Sequence, residues 1–353
     1  MLANIASAGE WFVRSGIQEK NGGVARHYRI DQRRNSPVST EITAYTASTL
    51  VYLHAIEGDE SWLARAEEAA RFLVFQAWNP VDGVMPFELG SPALTYFFDC
   101  GIVVRGLLSV WRAGGDSHYL HAAEAVGKAM QRDFAAPSGE FHPVLDLPSK
   151  RPVERDAARW SRTPGCYQLK AAMAWWELAE ATGNAAFRAD YDRALESSLR
   201  AYPEFLPGHP NPAKVMDRLH AFGYFLEGLL PRAAEKPCAA ALCDGIGRMS
   251  RMLREIAPVF ERSDVYAQLL RIRLFADAAG AVPLVRAAAA DEAEIVEGFQ
   301  AASDDPRIHG GFYFGRRGQE WLPYVNPVST AFALQALAAC HGMSGIPQRH
   351  LLI

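Results

Sequence analysis

Among 353 residues there are only five cysteines, Cys100, Cys166, Cys238, Cys243 and Cys340, odd in number and widely scattered. Such spacing is no disulfide framework and points to a reducing, cytoplasmic setting. An excess of either charge is also lacking: 36 Lys+Arg stand against 40 Asp+Glu, for a net charge of −4. No basic field asks for nucleic acid or an acidic membrane, and no acidic run marks a solvating tail. No stretch approaches the roughly 18 consecutive apolar residues of a membrane span. The opening MLANIASAGEWFVRSGI has no basic stretch leading into an apolar run, so it reads as an amphipathic helix. Gly-x-Gly-x-x-Gly, a P-loop and a serine nucleophile elbow are missing too, which leaves nucleotide binding without support.

What is present is a recurring turn: Glu57-Gly58-Asp59-x-x-Trp62, Gly114-Gly115-Asp116-x-x-Tyr119 and Thr182-Gly183-Asn184-x-x-Phe187. In each, Gly ends one helix, Asp or Asn caps the next, and the aromatic residue can pack back across the turn. Counting outward gives six hairpins. One helix set, at about 2–16, 60–77, 117–132, 185–201, 236–256 and 284–301, is amphipathic; the other, at about 38–56, 95–112, 165–181, 214–230, 263–279 and 327–341, is apolar on more faces. Wet and buried helices alternating at a period of ~50–68 residues describe an inner ring inside an outer one. The chain is expected to be all-α, a single (α/α)6 barrel over residues 1–353, with short β-hairpins in its rim loops. Gly22-Gly23 before Pro37-Val38-Ser39-Thr40, and Gly310-Gly311 before Pro327-Val328-Ser329-Thr330, suggest an internal repeat whose two ends meet.

This pattern, with Phe98-Asp99-Cys100-Gly101-Ile102-Val103-Val104-Arg105-Gly106 and Gly22-Gly23-Val24-Ala25, resembles the six-hairpin (α/α)6-barrel superfamily. Its members include unsaturated glucuronyl hydrolases, N-acylglucosamine 2-epimerases and the helical domain of glucuronyl C5-epimerases. The resemblance implies acid–base chemistry on a sugar. Unsaturated glucuronyl hydrolases place an Asp at the start of an inner helix, as Asp99 is placed here. They have a second at the start of the next, where this chain has Tyr167.

Long connections lead into the buried helices, at about 18–37, 79–94, 134–163, 203–213 and 303–325, and long loops in a compact domain usually carry function. They share one rim, above the inner-helix N-termini. Polar stripes run down from it: Asp217, His220, Tyr224 and Glu227 share a face of the fourth inner helix, and Glu41, Tyr45, Ser48 and Tyr52 a face of the first. Tyr167 and Lys170 begin the third, Asp99 the second, Tyr266 the fifth, and Asn326 with Ser329 the sixth. Converging stripes suggest a wet, ligand-holding axis. Rim loops add Arg26, His27, Tyr28, Phe87, Glu88, His142, Trp160, Arg162, His209, His309, Tyr313, Trp321 and Tyr324, the rings and charges that a sugar site needs.

The expected catalytic groups are Glu41, Glu88, Asp99, His220 and His309. Asp99 is assigned a lowered pKa at a helix N-terminus, and Glu41 or Glu88, if desolvated, the role of acid. Substrate binding is expected from Arg26, His27, Tyr28, Tyr45, Trp160, Arg162, Tyr167, Asp217, Tyr224, Tyr266, Tyr313 and Tyr324. The partner is expected to be a small-molecule or oligosaccharide substrate, uronate-bearing or acyl-amino, acted on by an epimerase or glycoside hydrolase; a non-catalytic sugar-binding toroid is the alternative. Cys340-His341-Gly342 resembles the zinc motif of lanthionine cyclases, but Cys166 lies about a helix length away, roughly 20–25 Å. No metal or cofactor is therefore expected. The six inner helices should place Glu41, Asp99, Tyr167, Asp217, Tyr266 and Asn326 at one rim, with Cys340 and His341 at the other.

Overall fold

The computed structural model describes residues 3–90, 93–206, 211–257, 259–343 and 349–353. Among them, twelve α-helices follow in chain order: α1 (Ala3–Arg14), α2 (Thr40–Glu57), α3 (Glu60–Phe72), α4 (Phe97–Gly114), α5 (Ser117–Asp133), α6 (Gln168–Thr182), α7 (Ala185–Phe205), α8 (Pro212–Gly228), α9 (Lys236–Ile256), α10 (Ser263–Ala278), α11 (Arg286–Glu297) and α12 (Pro327–Cys340). The even-numbered helices form the inner ring. Each packs on the next, and α12 packs back on α2, so the ring closes. Burial explains the division: every residue of α12 from Pro327 to Ala338 is buried, whereas α9 buries one stripe, including Cys238, Leu242, Gly245, Met249, Leu253 and Ile256.

Local chemistry sets the hairpins. Asp59, Asp116 and Asn184 each cap the following helix by accepting from the backbone N–H two residues on, at 2.8, 3.0 and 3.0 Å. Short turns leave the inner helices and long loops lead into them, so all six inner helices start at one rim. Cys340 and His341 lie at the other end, where His341 Nε2 is 3.5 Å from Glu297 Oε1.

Eight short strands tie the rim loops together: β1 (Tyr28–Arg29), β2 (Arg34–Asn35), β3 (Ala93–Tyr96), β4 (Val144–Leu147), β5 (Glu261–Arg262), β6 (Gly315–Arg317), β7 (Glu320–Trp321) and β8 (Tyr324–Val325). The sheets read β2-β1-β8, β3-β4 and β5-β6-β7. Antiparallel pairing of β1 with β8, Tyr28 opposite Val325, joins the first and last loops where α2 meets α12.

The two loops meet through β1 and β8, but among the described residues no pairing joins the Gly-Gly turns themselves. A Cβ on Gly22, at φ +93, would overlap the Glu68 carbonyl of α3, and one on Gly310, at φ +86, the Ser7 carbonyl of α1. Each turn therefore lies flat on its own outer helix, under Phe72 and Trp11 respectively. The internal repeat continues into the inner helices: Val24 N–H donates to Thr43 Oγ1 at 2.9 Å, and Phe312 N–H to Thr330 Oγ1 at 3.0 Å. Those threonines sit four residues after the helix caps Ser39 and Asn326. The identical Pro-Val-Ser-Thr runs are consequently three residues out of register, one straddling its cap and the other following it. Gly22→Ala and Gly310→Ala are each expected to cost about 2–4 kcal/mol, from left-handed strain plus a backbone clash. Urea unfolding checks this, and a loss under ~0.5 kcal/mol would show that the turns can lift off.

Candidate functional site

A cavity of about 280 Å³ opens at the long-loop rim, lined by Glu41, Phe87, Tyr96, Phe98, Asp99, Pro143, Trp160, Ser161, Tyr167, His220 and Tyr224. Helix starts place the polar groups. Glu41 is the second residue of α2, Asp99 the third of α4, and Tyr167 caps α6, while His220 and Tyr224 lie further along α8. Thr40 pins the loop that carries Phe87, its Oγ1 donating to the Pro86 carbonyl at 2.6 Å. The β3–β4 ladder, with Tyr96 opposite Val144, brings Tyr96 and Pro143 to the opening.

The walls are aromatic and interlocked. Phe98 lies 4.4 Å from Tyr224 between ring centroids, His220 4.5 Å from Tyr224, and Trp160 stands edge-on to Tyr167 at 4.9 Å. Against these rings burial favours the protonated form of both carboxyl groups. Burial raises Glu41 to about 7 against the pull of Arg26, and burial together with Glu41 lifts Asp99 well above the ordinary carboxyl range. This reverses the lowered pKa expected of Asp99: the helix N-terminus is outweighed by lost hydration and a neighbouring carboxyl. Asp99 Oδ2 is buried with no hydrogen-bond partner among the described residues.

His220 shifts the other way. Burial lowers it to about 4, with Arg262 adding to the effect and Asp264 opposing it. Its Nδ1 is 2.7 Å from Gln268 Oε1 and 3.6 Å from Asp264 Oδ2. With the Gln268 amide oxygen turned to it and Asp264 beyond, Nδ1 is the ring nitrogen placed to donate, which leaves Nε2 as the candidate base. Arg262 grips Asp264 with two bonds, at 3.0 and 2.6 Å, and reaches Asp217 at 2.7 Å. Burial acts to raise Asp264, but Arg262 and His220 hold it below the usual carboxylate range.

The folded state binds fewer protons at His220 than the unfolded chain, so stability drains away as pH falls from 6.5 towards 4. Relative to His220→Asn, the wild type is expected to lose about 3 kcal/mol across that window. Chemical unfolding of both chains at several pH values checks this. A flat difference would show that the imidazole is not held neutral.

The candidate residues thus fall into three groups. Glu41, Asp99, His220, Trp160, Tyr167 and Tyr224 meet in the cavity. At its edge Arg26 pairs with Glu88 at 3.0 Å and lies 5.4 Å from the Phe87 ring centroid, Arg162 lies beside Tyr96, and Tyr45 backs onto Tyr224. The remainder sit elsewhere. His309 is exposed in the turn before Gly310, its Nδ1 turned to Ser303 N–H. Tyr28 is buried beneath Arg307, Tyr313 stacks on Trp321 at 4.8 Å, and Tyr324 lies between Phe314 and His27, about 5.0 Å from each. Burial, Arg26 and Arg29 lower His27 to about 4. Asp217 is committed to Arg262, Tyr266 is buried near Glu261 and Arg316, and His209 lies outside the described residues.

Phe98, Tyr96 and the Arg262–Asp264–Gln268 set had not been singled out. The spacing rule used on α8 would have found two of the last set, since Asp264 and Gln268 recur with Arg271 at i, i+4 and i+7 on α10, whereas Arg262 lies on β5. Among the described residues no group of three His, Cys, Asp or Glu is placed to hold a metal ion, and no helix is long and apolar enough to cross a membrane.

No family model and no curated protein matches the chain. Solved structures do. A sugar epimerase from a ruminal bacterium superposes with TM-score 0.71 at 12% identity, covering 94% of this chain and 96% of that one. A D-mannose isomerase gives 0.70 at 10%, covering 97% and 96%. An unsaturated glucuronyl hydrolase from a Bacillus species, responsible for glycosaminoglycan degradation, gives 0.63 at 13%, covering 97% of both. The protein is an (α/α)6 barrel. Its fold is that of these structures over 94–97% of the chain.

Proposed function

We propose that this chain is a carbohydrate-active enzyme that moves a proton on a sugar held in the aromatic cavity, with His220 as base and the Glu41–Asp99 pair as acid. The observation that carries this is that His220, Glu41 and Asp99 line one aromatic cavity, where burial favours the neutral imidazole and the protonated carboxyl. A base and an acid facing one small cavity can take a proton from a carbon beside a carbonyl and return one to that carbon or its neighbour. The rings offer faces for sugar C–H groups, while Tyr167, Tyr224 and Ser161 offer hydroxyls. The lining residues include no lysine or arginine, which favours a neutral or acyl-amino sugar. A uronate would have to reach Arg26 or Arg162 at the edge. The similarity to a sugar epimerase and a mannose isomerase is in keeping with this chemistry.

The coupled carboxyl pair favours hydrolysis as the second reading. Two neighbouring carboxyl groups do not ionise together, so loss of one proton from the Glu41–Asp99 pair would leave the base and the acid that glycoside cleavage needs. Incubation with a panel of reducing sugars and oligosaccharides in deuterated water separates the cases. Deuterium in a sugar of unchanged length is the expected result. Shortened chains would reassign the pair to hydrolysis, and binding with neither outcome would make the protein a sugar-binding toroid.

A further inference from the structure

Below the cavity the barrel axis is filled with charge. The inward stripe of α8 that carries His220 and Tyr224 continues one turn on to Glu227. Glu227 is fully buried, ion-paired at 2.9 Å to Lys170 of α6 and also to Arg271 of α10. Both cations are fully buried, and both donate to the backbone oxygen of Ile353, at 2.9 and 3.1 Å. From α4, Arg105 donates to the Leu352 carbonyl at 2.6 Å and to Glu177 at 2.8 Å. From α12, Gln335 clasps the same segment twice, donating to the Leu351 carbonyl at 2.6 Å and accepting from Ile353 N–H at 3.1 Å. Four inner helices thus grip three residues, of which Leu352 and Ile353 are 2% and 1% exposed.

Buried guanidinium and ammonium groups carry more donors than the Glu227 and Glu177 carboxylates can accept, and the backbone oxygens of this segment take part of the remainder. We infer that Leu351–Ile353 is a positioning element of the cavity: by locking Lys170 and Arg271 it fixes Glu227, and through the α8 stripe it holds Tyr224 and His220 opposite Glu41 and Asp99. The open axis suggested by the polar stripes does not run through the barrel, because this segment fills it below Glu227. Its placement is independent of the ligand; its effect on turnover rests on the acid–base function proposed above.

Two variants test the role: a chain ending at His350, and the milder Gln335→Leu in the full chain. Without any sugar, hydrogen exchange in α8 is expected to quicken at least about tenfold in both, while the outer helix α9 keeps its protection. With a sugar that the wild type turns over, kcat is expected to fall at least about tenfold with KM within about twofold, since the lining that binds is retained. Should the shortened chain fail to fold, Gln335→Leu decides. Unchanged α8 exchange in that variant overturns the inference. So does a lowered Tm with kcat and KM both unchanged, which would leave the segment a mere plug. Because the exchange measurement needs no substrate, its outcome stands even if every sugar on the panel is ignored.

Discussion

Asp99→Asn is expected to cut kcat by about 10²–10⁴-fold while leaving the fold intact or firmer. The amide keeps the shape of the carboxyl group but has no proton to give, so the loss belongs to turnover rather than binding. That fold-change corresponds to about 3–5 kcal/mol of transition-state stabilisation. Stability should move the other way. Asp99 is raised by burial and by Glu41, so the folded chain holds a proton that the unfolded chain releases as pH rises above the ordinary carboxyl value of 3.8. The wild type therefore loses stability with rising pH, and Asn escapes that loss. Calorimetry at pH 5 and pH 8 should show the variant gaining on the wild type at the higher pH. Glu41→Gln should show a smaller gain, completed as pH passes about 7. Full turnover in Asp99→Asn would reduce the pair to packing.

Glu227→Gln is expected to cost about 3–5 kcal/mol of folding stability, because it strips the shared counter-charge from two buried cations. Lys170 can escape part of the penalty. Burial already pushes its pKa well below the ordinary lysine value, Arg105 and Arg271 push the same way, and Glu227 is what opposes them. Without Glu227 it sheds its proton, whereas Arg271 cannot. The loss should therefore be larger at low pH, where Lys170 stays charged, than at pH 9. Urea unfolding at both pH values measures it. A cost below ~1 kcal/mol at either would mean that water or the Ile353 backbone oxygen replaces the Glu227 carboxylate.

The hairpin architecture was legible because its signals are local. An Asp or Asn that caps a helix does so with its own side chain, and a stripe three or four residues apart is buried wherever the helix lands. Hence the inner helices, the shared rim, and Glu41, Asp99 and His220 at the cavity could be named from residue order. Loop residues could not be sorted in the same way. Phe87 faces the cavity because Thr40 pins its loop, and His309 faces away because Gly310 lies flat on α1. Neither contact has a sequence spacing that announces it.

Residue order alone determined an all-helical ring of hairpins, the end at which it opens, and three polar groups at that opening. Tertiary structure decided their chemistry. A helix N-terminus favours an ionised Asp99, yet lost hydration and a neighbouring carboxyl, set by how α2 and α4 pack, favour the protonated form and prevail. It also decided how deep the cavity runs: Leu351–Ile353, remote in sequence from Arg105, Lys170 and Arg271, fills the axis that the polar stripes had suggested was open. Capping and periodicity act within a few residues, whereas desolvation and ion pairing depend on what the folded chain brings together.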